Sequence, residues 1–430
     1  MSDRSKIEWT DATWNPIRAI TREGKIGWHC EKISAACANC YAEAMNQRLG
    51  TGLEYHSKHF FYDDKRSDKK SLVFLDEKTL LQPLHWKRPR RIFVCSMTDL
   101  FGDWVTDEMR DRIHAIMALT PHHDYQILTK RSARMRQYAT NPATPPRIWA
   151  AVDALIDLWN SGGAGFRLRA IDNDPKIVAL ADQGASWGGE TPWPLKNVWF
   201  GVTAENQQAA DKRIPDLLAT SATMRFVSIE PMLGPIDLER IGTLDTIRSA
   251  MPEIVAREED DLCQNSVSGM QIDVINSAHQ ATIYYQTPDH MGGFAIRFPR
   301  PFPRLDWVIC GGESGPHARP MHPDWARSLR DQCAAASVPF FFKQWGEFRE
   351  FDHETREITL VEAGSDFAES VLAAACNPSW ITADGRHIRN QDDLPEHGEP
   401  RARLIERVGK KSAGRLLDGR EHSEFPGRQA

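Results

Sequence analysis

The sequence predicts an α/β fold: parallel strands in a partial or closed (β/α) barrel of the TIM type, with two insertions and a polar C-terminal extension. Two observations predict it. Six short runs, apolar almost throughout, alternate with helical segments, as strands buried on both faces of a parallel sheet do. The polar residues cluster just after those runs: Ser96, Thr98, Asp99, Thr129, Lys130, Thr203, Glu205, Glu230, Glu313, Lys343 and Gln344. Ligands bind at the carboxyl ends of strands in such sheets. A doubly wound open sheet satisfies both observations as well.

In chain order, residues 7–16 are aromatic and polar and end in a turn at Pro16. The segment 22–29 is a candidate first strand, leading into a cysteine loop. Tyr41 to Leu49 reads as a helix ended by Gly50, and 54–70 as a loop. The apolar runs are 91–95, 125–128, 197–202, 225–229, 305–310 and 338–343. Helices are expected from about Val105 to Leu119 with Thr106 as cap, after Ser132, from Asn206 to about Ala219, and over 323–336. Residues 1–140 thus hold the first part of the barrel, 196–245 its middle and 305–350 its last units. Residues 141–195, with one apolar helix from Ile148 to Trp159, are an insertion. So are residues 246–304, with an acidic run at 258–261 and a β-like run from Gln280 to Tyr285. Residues 351–430 form the extension.

Composition narrows the function classes. The chain has 430 residues, 41% hydrophobic and 26% charged, as ordinary globular proteins do. A net charge of −6 argues against a polyanion binder as a whole, but leaves room for a local basic groove. No apolar run approaches the ~20 residues of a membrane helix. The polar start, Met1 to Lys6, has no apolar segment behind it and so is no secretory signal. Cys95, Cys263, Cys310, Cys333 and Cys376 are scattered, which points to a reducing, cytoplasmic setting rather than a disulfide framework.

Cys30, Cys37 and Cys40 stand apart from these, spaced C-x6-C-x2-C. A closed structural zinc site wants four protein ligands, and an ordinary [4Fe–4S] cluster wants four thiolates. Three thiolates on one loop therefore suggest a cluster with one open iron, where a substrate or cofactor binds. Zinc with His29 or a distant residue as fourth ligand is the main rival, and three free buried cysteines the plain alternative.

Other residues carry weaker signals. Lys130, at the end of a strand, suits a carboxylate or phosphate, or is a solvated lysine. Asp99 is a ribose acceptor or a capping aspartate. Glu230 is an acid, a base or a salt-bridged rim residue. Gly311-Gly312-Glu313-Ser314 is a tight turn where amides could approach a ligand, or a turn that only closes a βα loop. His122-His123 is a poor metal pair. The basic clusters Lys87 to Arg91 and Lys130 to Arg136 could hold a nucleic-acid strand or a flipped base.

The segments Ile7 to Pro16, the three cysteines followed by Tyr41-Ala42-Glu43, Met97 to Phe101, Leu128 to Arg131, Ser228 to Pro231, Gly311 to Gly315 and Gly409 to Arg420 resemble the phage-associated three-cysteine-motif family. Their order is also similar to that of radical S-adenosylmethionine enzymes of the spore photoproduct lyase type. That resemblance implies a partial barrel and a [4Fe–4S] cluster on Cys30, Cys37 and Cys40, with S-adenosylmethionine on the open iron. It implies that Lys130 meets the cofactor carboxylate and that Ser96 and Thr98 hold its methionine or ribose end. Glu205, Gly311, Gly312, Glu313 and Ser314 would complete the cofactor rim. Asp99 and Glu230 are the candidate catalytic residues, and a nucleic acid or nucleotide is the expected substrate. A separately encoded partner protein is a further expectation. The first cysteine gap is six residues where those enzymes have three, and the Gly-Gly-Glu lies late in the chain rather than early.

Overall fold

The computed structural model describes residues 5–56, 60–61, 71–160, 192–252, 269–274, 280–286, 291–297, 303–351, 377–389 and 402–427. Its centre is a seven-stranded sheet, wholly parallel and curled into a half-barrel. The strands are β1 (Ala12–Trp14), β2 (Arg91–Val94), β3 (Asp124–Thr129), β4 (Val198–Thr203), β5 (Met224–Ile229), β6 (Trp307–Gly311) and β7 (Phe340–Gln344). They lie side by side in chain order, as successive right-handed βα units place them. The helices that concern the site are α1 (Tyr41–Leu49), α2 (Asp107–Leu119), α3 (Ser132–Thr140), α4 (Thr144–Asn160), α5 (Gln207–Leu218) and α6 (Pro323–Ala335).

Strand alternation sets the two faces. Ile92, Val94, Tyr125, Ile127, Phe200, Val202, Val308 and Phe342 point outward into the main core, with Ile113, Ile116, Leu217 and Leu329 of the helices. Phe93, Trp199, Phe226, Trp307, Ile309 and Phe341 point inward and, with Trp9, fill the lower part of the half-barrel. Gly201 belongs to this packing: the Phe226 ring lies 2.5 Å from where a Cβ would stand. Thr106 caps α2 by accepting from the Met109 amide at 3.2 Å, as its sequence signature predicts.

Among the described residues no eighth strand closes the barrel, so β1 and β7 are edges. The tail after Gly409 lies along the β7 edge. Phe342 N donates to His422 O at 2.9 Å and Trp345 N to Gly414 O at 3.1 Å. Phe425 tucks beneath the aromatic layer, 5.1 Å from Trp307 and 5.3 Å from Phe341. The tail thereby blocks an edge that would otherwise invite another strand.

Three expectations change. The first barrel strand is Ala12–Trp14, not the segment 22–29. Ile17–Thr21 and Ile26–Gly27 instead belong to a small sheet with Ser71–Leu75 and Phe60–Phe61, so part of the expected loop 54–70 is strand. Three residues carry too little periodicity to announce a strand. The extension is polar in composition yet holds a four-stranded sheet of Phe348–Glu350, Ala402–Arg407, Pro378–Thr382 and His387–Ile388. Within the insertions, the helix is α4, and Gln280–Gln286 is the middle strand of an antiparallel sheet. Residues 161–191, the acidic run at 258–261, Cys263 and Cys376 lie outside the described residues.

Candidate active site at the barrel mouth

The cysteine loop lies across the carboxyl ends of the strands and is tied to four of them. At β2, Thr98 donates to the His29 carbonyl and Tyr41 to the Ser96 carbonyl at 2.8 Å. At β3, Arg131 meets Glu31 at 3.3 Å. At β4, the Ser34 hydroxyl lies close enough to Glu205 to favour its charged form. At β6, Glu313 accepts from Asn39 at 3.0 Å. The strand-end residues and the cysteines, separate signals in the sequence, come together at one mouth.

Most of the mouth carboxylates are committed to this scaffold. Asp99 is buried and accepts from Thr129 Oγ1 at 2.7 Å, the Phe101 amide at 2.9 Å, the Lys130 amide at 3.3 Å and Arg131 at 3.1 Å. Glu205 pairs with Arg213 at 2.8 Å. Burial acts to raise its pKa, but Arg213 and Ser34 outweigh it and hold the carboxyl below its ordinary value. Burial acts the same way on Glu313. There Arg319, through two side-chain bonds of 2.6 and 2.8 Å, and Asn39 hold it low.

Glu230 differs, because it points into the half-barrel from the end of β5. It pairs with Lys343 of β7 at 3.0 Å and accepts from Trp9 Nε1 at 3.0 Å and from Ser228 at 3.2 Å. The Glu230 carboxylate lies 2.9 Å from where a Gly311 Cβ would stand, so glycine makes room for it. Gly312 and Gly346 serve a chain crossing instead. A Cβ at Gly312 would sit 1.8 Å from the Trp345 carbonyl, and one at Gly346 2.0 Å from the Glu313 carbonyl. Ser314 follows that crossing, half-buried.

Cys30, Cys37 and Cys40 are free and half-buried. Cys30 and Cys40 pack on the same small cluster of Ala42, Tyr55 and Met97. Burial pushes the Cys30 thiol well up, against the pull of Arg131, and raises Cys40 too. The amides of Glu43 and Ala42, at the amino end of α1, and the Lys130 charge act the other way on Cys40. That combination favours thiolates once a metal replaces the lost water. Among the described residues, no three His, Cys, Asp or Glu side chains are gathered to hold a metal ion. The fit to a thiolate-ligated group lies in the donor chemistry, not in a preformed cage. His29 is buried, its ring edge-on to Trp104 at 4.8 Å.

Lys130 is half-buried at the end of β3, and no side chain among the described residues pairs with its ammonium. Its neighbour Arg131 is fully engaged by Asp99, Glu31 and the Trp104 ring at 4.6 Å.

Residues 4–426 match the model of a family described as a protein of unknown function, DUF5131. The chain belongs to that family. No curated protein and no solved structure matches it.

Sequence reasoning missed the partners that hold this family member's mouth together: Trp9, Asn15, Ser34, Asn39, Arg213 and Arg319. Trp9 and Asn15 lie in the aromatic first segment, and Ser34 and Asn39 within the cysteine loop, but nothing in the spacing marks a role for them. The first basic cluster also moves. Lys87 to Arg90 precede β2 and Arg91 opens it, so they stand at the amino end of the sheet, opposite the cysteines.

Proposed function

We propose that this chain is a radical S-adenosylmethionine-type enzyme, cytoplasmic, acting on a nucleic acid or nucleotide-type substrate, with a [4Fe–4S] cluster held by Cys30, Cys37 and Cys40. The observation that carries this reading is the position of the three-cysteine loop, across the mouth of a parallel half-barrel and beside the ammonium of Lys130, which has no ion-pair partner among the described residues. When bound, such a cluster supplies the electron that cleaves the S-adenosylmethionine sulfonium and so starts hydrogen abstraction. Lys130 supplies a point charge for the cofactor's carboxylate. Ser96, Thr98, Glu205, Gly311, Gly312, Glu313 and Ser314 form the rim, mainly by fixing the loop. Glu230, held by Lys343 and Trp9 inside the half-barrel, faces the substrate side. The aromatic layer beneath excludes water.

One observation favours a second reading. Asp99, Glu205 and Glu313 are consumed by internal partners, which is what a zinc- or cluster-stapled binding protein in phage–host interaction would also show. Anaerobic purification followed by iron, sulfide and zinc assay separates the two. The enzyme reading expects about four irons per chain and a reduced-state EPR signal that shifts when S-adenosylmethionine is added. It also expects Cys40→Ala to lose the iron. Stoichiometric zinc in a colourless protein, persisting after reconstitution, would leave the stapled binding protein.

A further inference from the structure

We propose that the amino end of the half-barrel, opposite the cysteine loop, is a docking surface for the phosphate backbone of a nucleic acid. The inference does not depend on the cluster. Lys87 and Arg88 are exposed ahead of β2, beside half-buried Arg90 and Arg91. Lys196, exposed, comes just before β4, and Arg304, half-buried, just before β6. Because every strand of the sheet runs the same way, these loops share one end of it. Lys87, Arg88 and Lys196 have no ionic partner among the described residues, and Arg304 has only the nearby charge of Asp306.

The acids at this end are mostly occupied. Asp11 holds Arg91, Asp306 accepts the Arg225 amide at 2.8 Å, and Glu424 accepts the Phe340 amide at 3.0 Å. Asp124 stands at the start of β3, between the cationic loops. A molecule of net charge −6 thus concentrates unpaired cations on one face. Strands lie about 4.8 Å apart, so a row from β2 by way of β4 to β6 covers about 20 Å. That is roughly six steps of a duplex strand at 3.4 Å each. Trp86, half-buried with the Arg90 guanidinium 5.0 Å from its ring, adds a flat surface beside the row. None of the exposed large apolar side chains among the described residues lies in these loops. A membrane would find charge there but nothing to insert. Guanidinium and ammonium groups without a matching apolar patch suit a phosphate backbone best.

The test is fluorescence anisotropy with labelled single- and double-stranded DNA of about 20 nucleotides on cluster-free protein, which keeps it separate from the fate of the iron reading. Neutralising about four phosphates predicts that affinity falls roughly 100-fold between 50 and 200 mM salt. The triple reversal Lys87→Glu, Arg88→Glu, Lys196→Glu should lose at least about 10-fold, because each cation removed takes a phosphate contact with it. Lys212→Gln, exposed on the outer helix α5, should bind as the parent does. A thermal melt checks the fold, and Lys87→Gln, Arg88→Gln serves if the triple variant melts early. Absence of binding, binding indifferent to the reversals, or equal affinity for anionic vesicles or polyglutamate would each overturn the proposal.

Discussion

At the carboxyl ends of the strands Asp99, Glu205, Glu230 and Glu313 each have a cationic partner inside the protein. At the amino ends Lys87, Arg88 and Lys196 have none among the described residues. The contrast separates two uses of charge. Buried charges must be paired, because desolvation of an unpaired ion costs several kcal/mol. The mouth obeys this, and its pairs hold a loop in place. Exposed cations at the other end are solvated, add little to stability and stay available. Lys130 is the exception at the mouth, a half-buried cation with no ionic partner among the described residues, and it lies beside the cysteines.

Removing a mouth carboxylate should break this pattern most severely. Asp99→Ala strips four donors of their acceptor and leaves Arg131, only 10% exposed, without its closest carboxylate. A loss of about 3 kcal/mol is expected, read from the urea midpoint. An unchanged midpoint would mean that the pair does not organise the mouth.

Acid should act through the buried histidines before it reaches the paired mouth carboxylates. His123, buried at the start of β3, has its pKa pushed down to about 4, chiefly by burial and then by neighbouring His122. The folded state keeps it neutral, whereas the unfolded chain takes a proton near 6.5. Stability is therefore complete above about 6.5 and declines as pH falls toward about 4. Glu205 and Glu313, held low, lose their contribution as pH falls from the ordinary carboxylate value through their lowered ones. His114 and His322 titrate in the same window as His123, each lowered to about 4 by burial. His123→Gln should thus reduce the slope of stability against pH by about one proton, and an unaltered slope would refute the assignment.

The smallest effect sharpens the other side. Lys87→Ala with Arg88→Ala, both exposed and unpaired, should shift stability by no more than about 0.5 kcal/mol. A larger shift would show that these cations are structural.

Much of this architecture was readable in the chain. Six apolar runs became β2 to β7, displaced by at most about two residues at their ends, and the 3.6-residue pattern placed α2, α5 and α6. The strand-end polar residues did gather at one mouth. β1 was not readable, because Ala12–Trp14 is too short to show a period and is held in the sheet by β2 alone. The extension's sheet was obscured by polar composition, since its few apolar residues, among them Trp380, Ile388 and Leu404, are spread over short strands in a charged stretch. At the site, the cysteines announced themselves by spacing, but their anchors did not. Asn39 and Glu313 are 274 residues apart, and Trp9 and Glu230 are 221.

The sequence alone determined six of the seven barrel strands and the helices between them, and which chemistry, three thiols and a ring of carboxylates, the chain carries. Only the tertiary structure decided which carboxylates are scaffold, that Lys130 has no ion-pair partner among the described residues, and that Lys87 to Arg91 stand at the end away from the cysteines. The physical reason is that strand and helix preferences are local, set by side-chain alternation over a few residues. Charge pairing instead depends on sheet curvature and strand direction, which bring together residues that no local pattern connects.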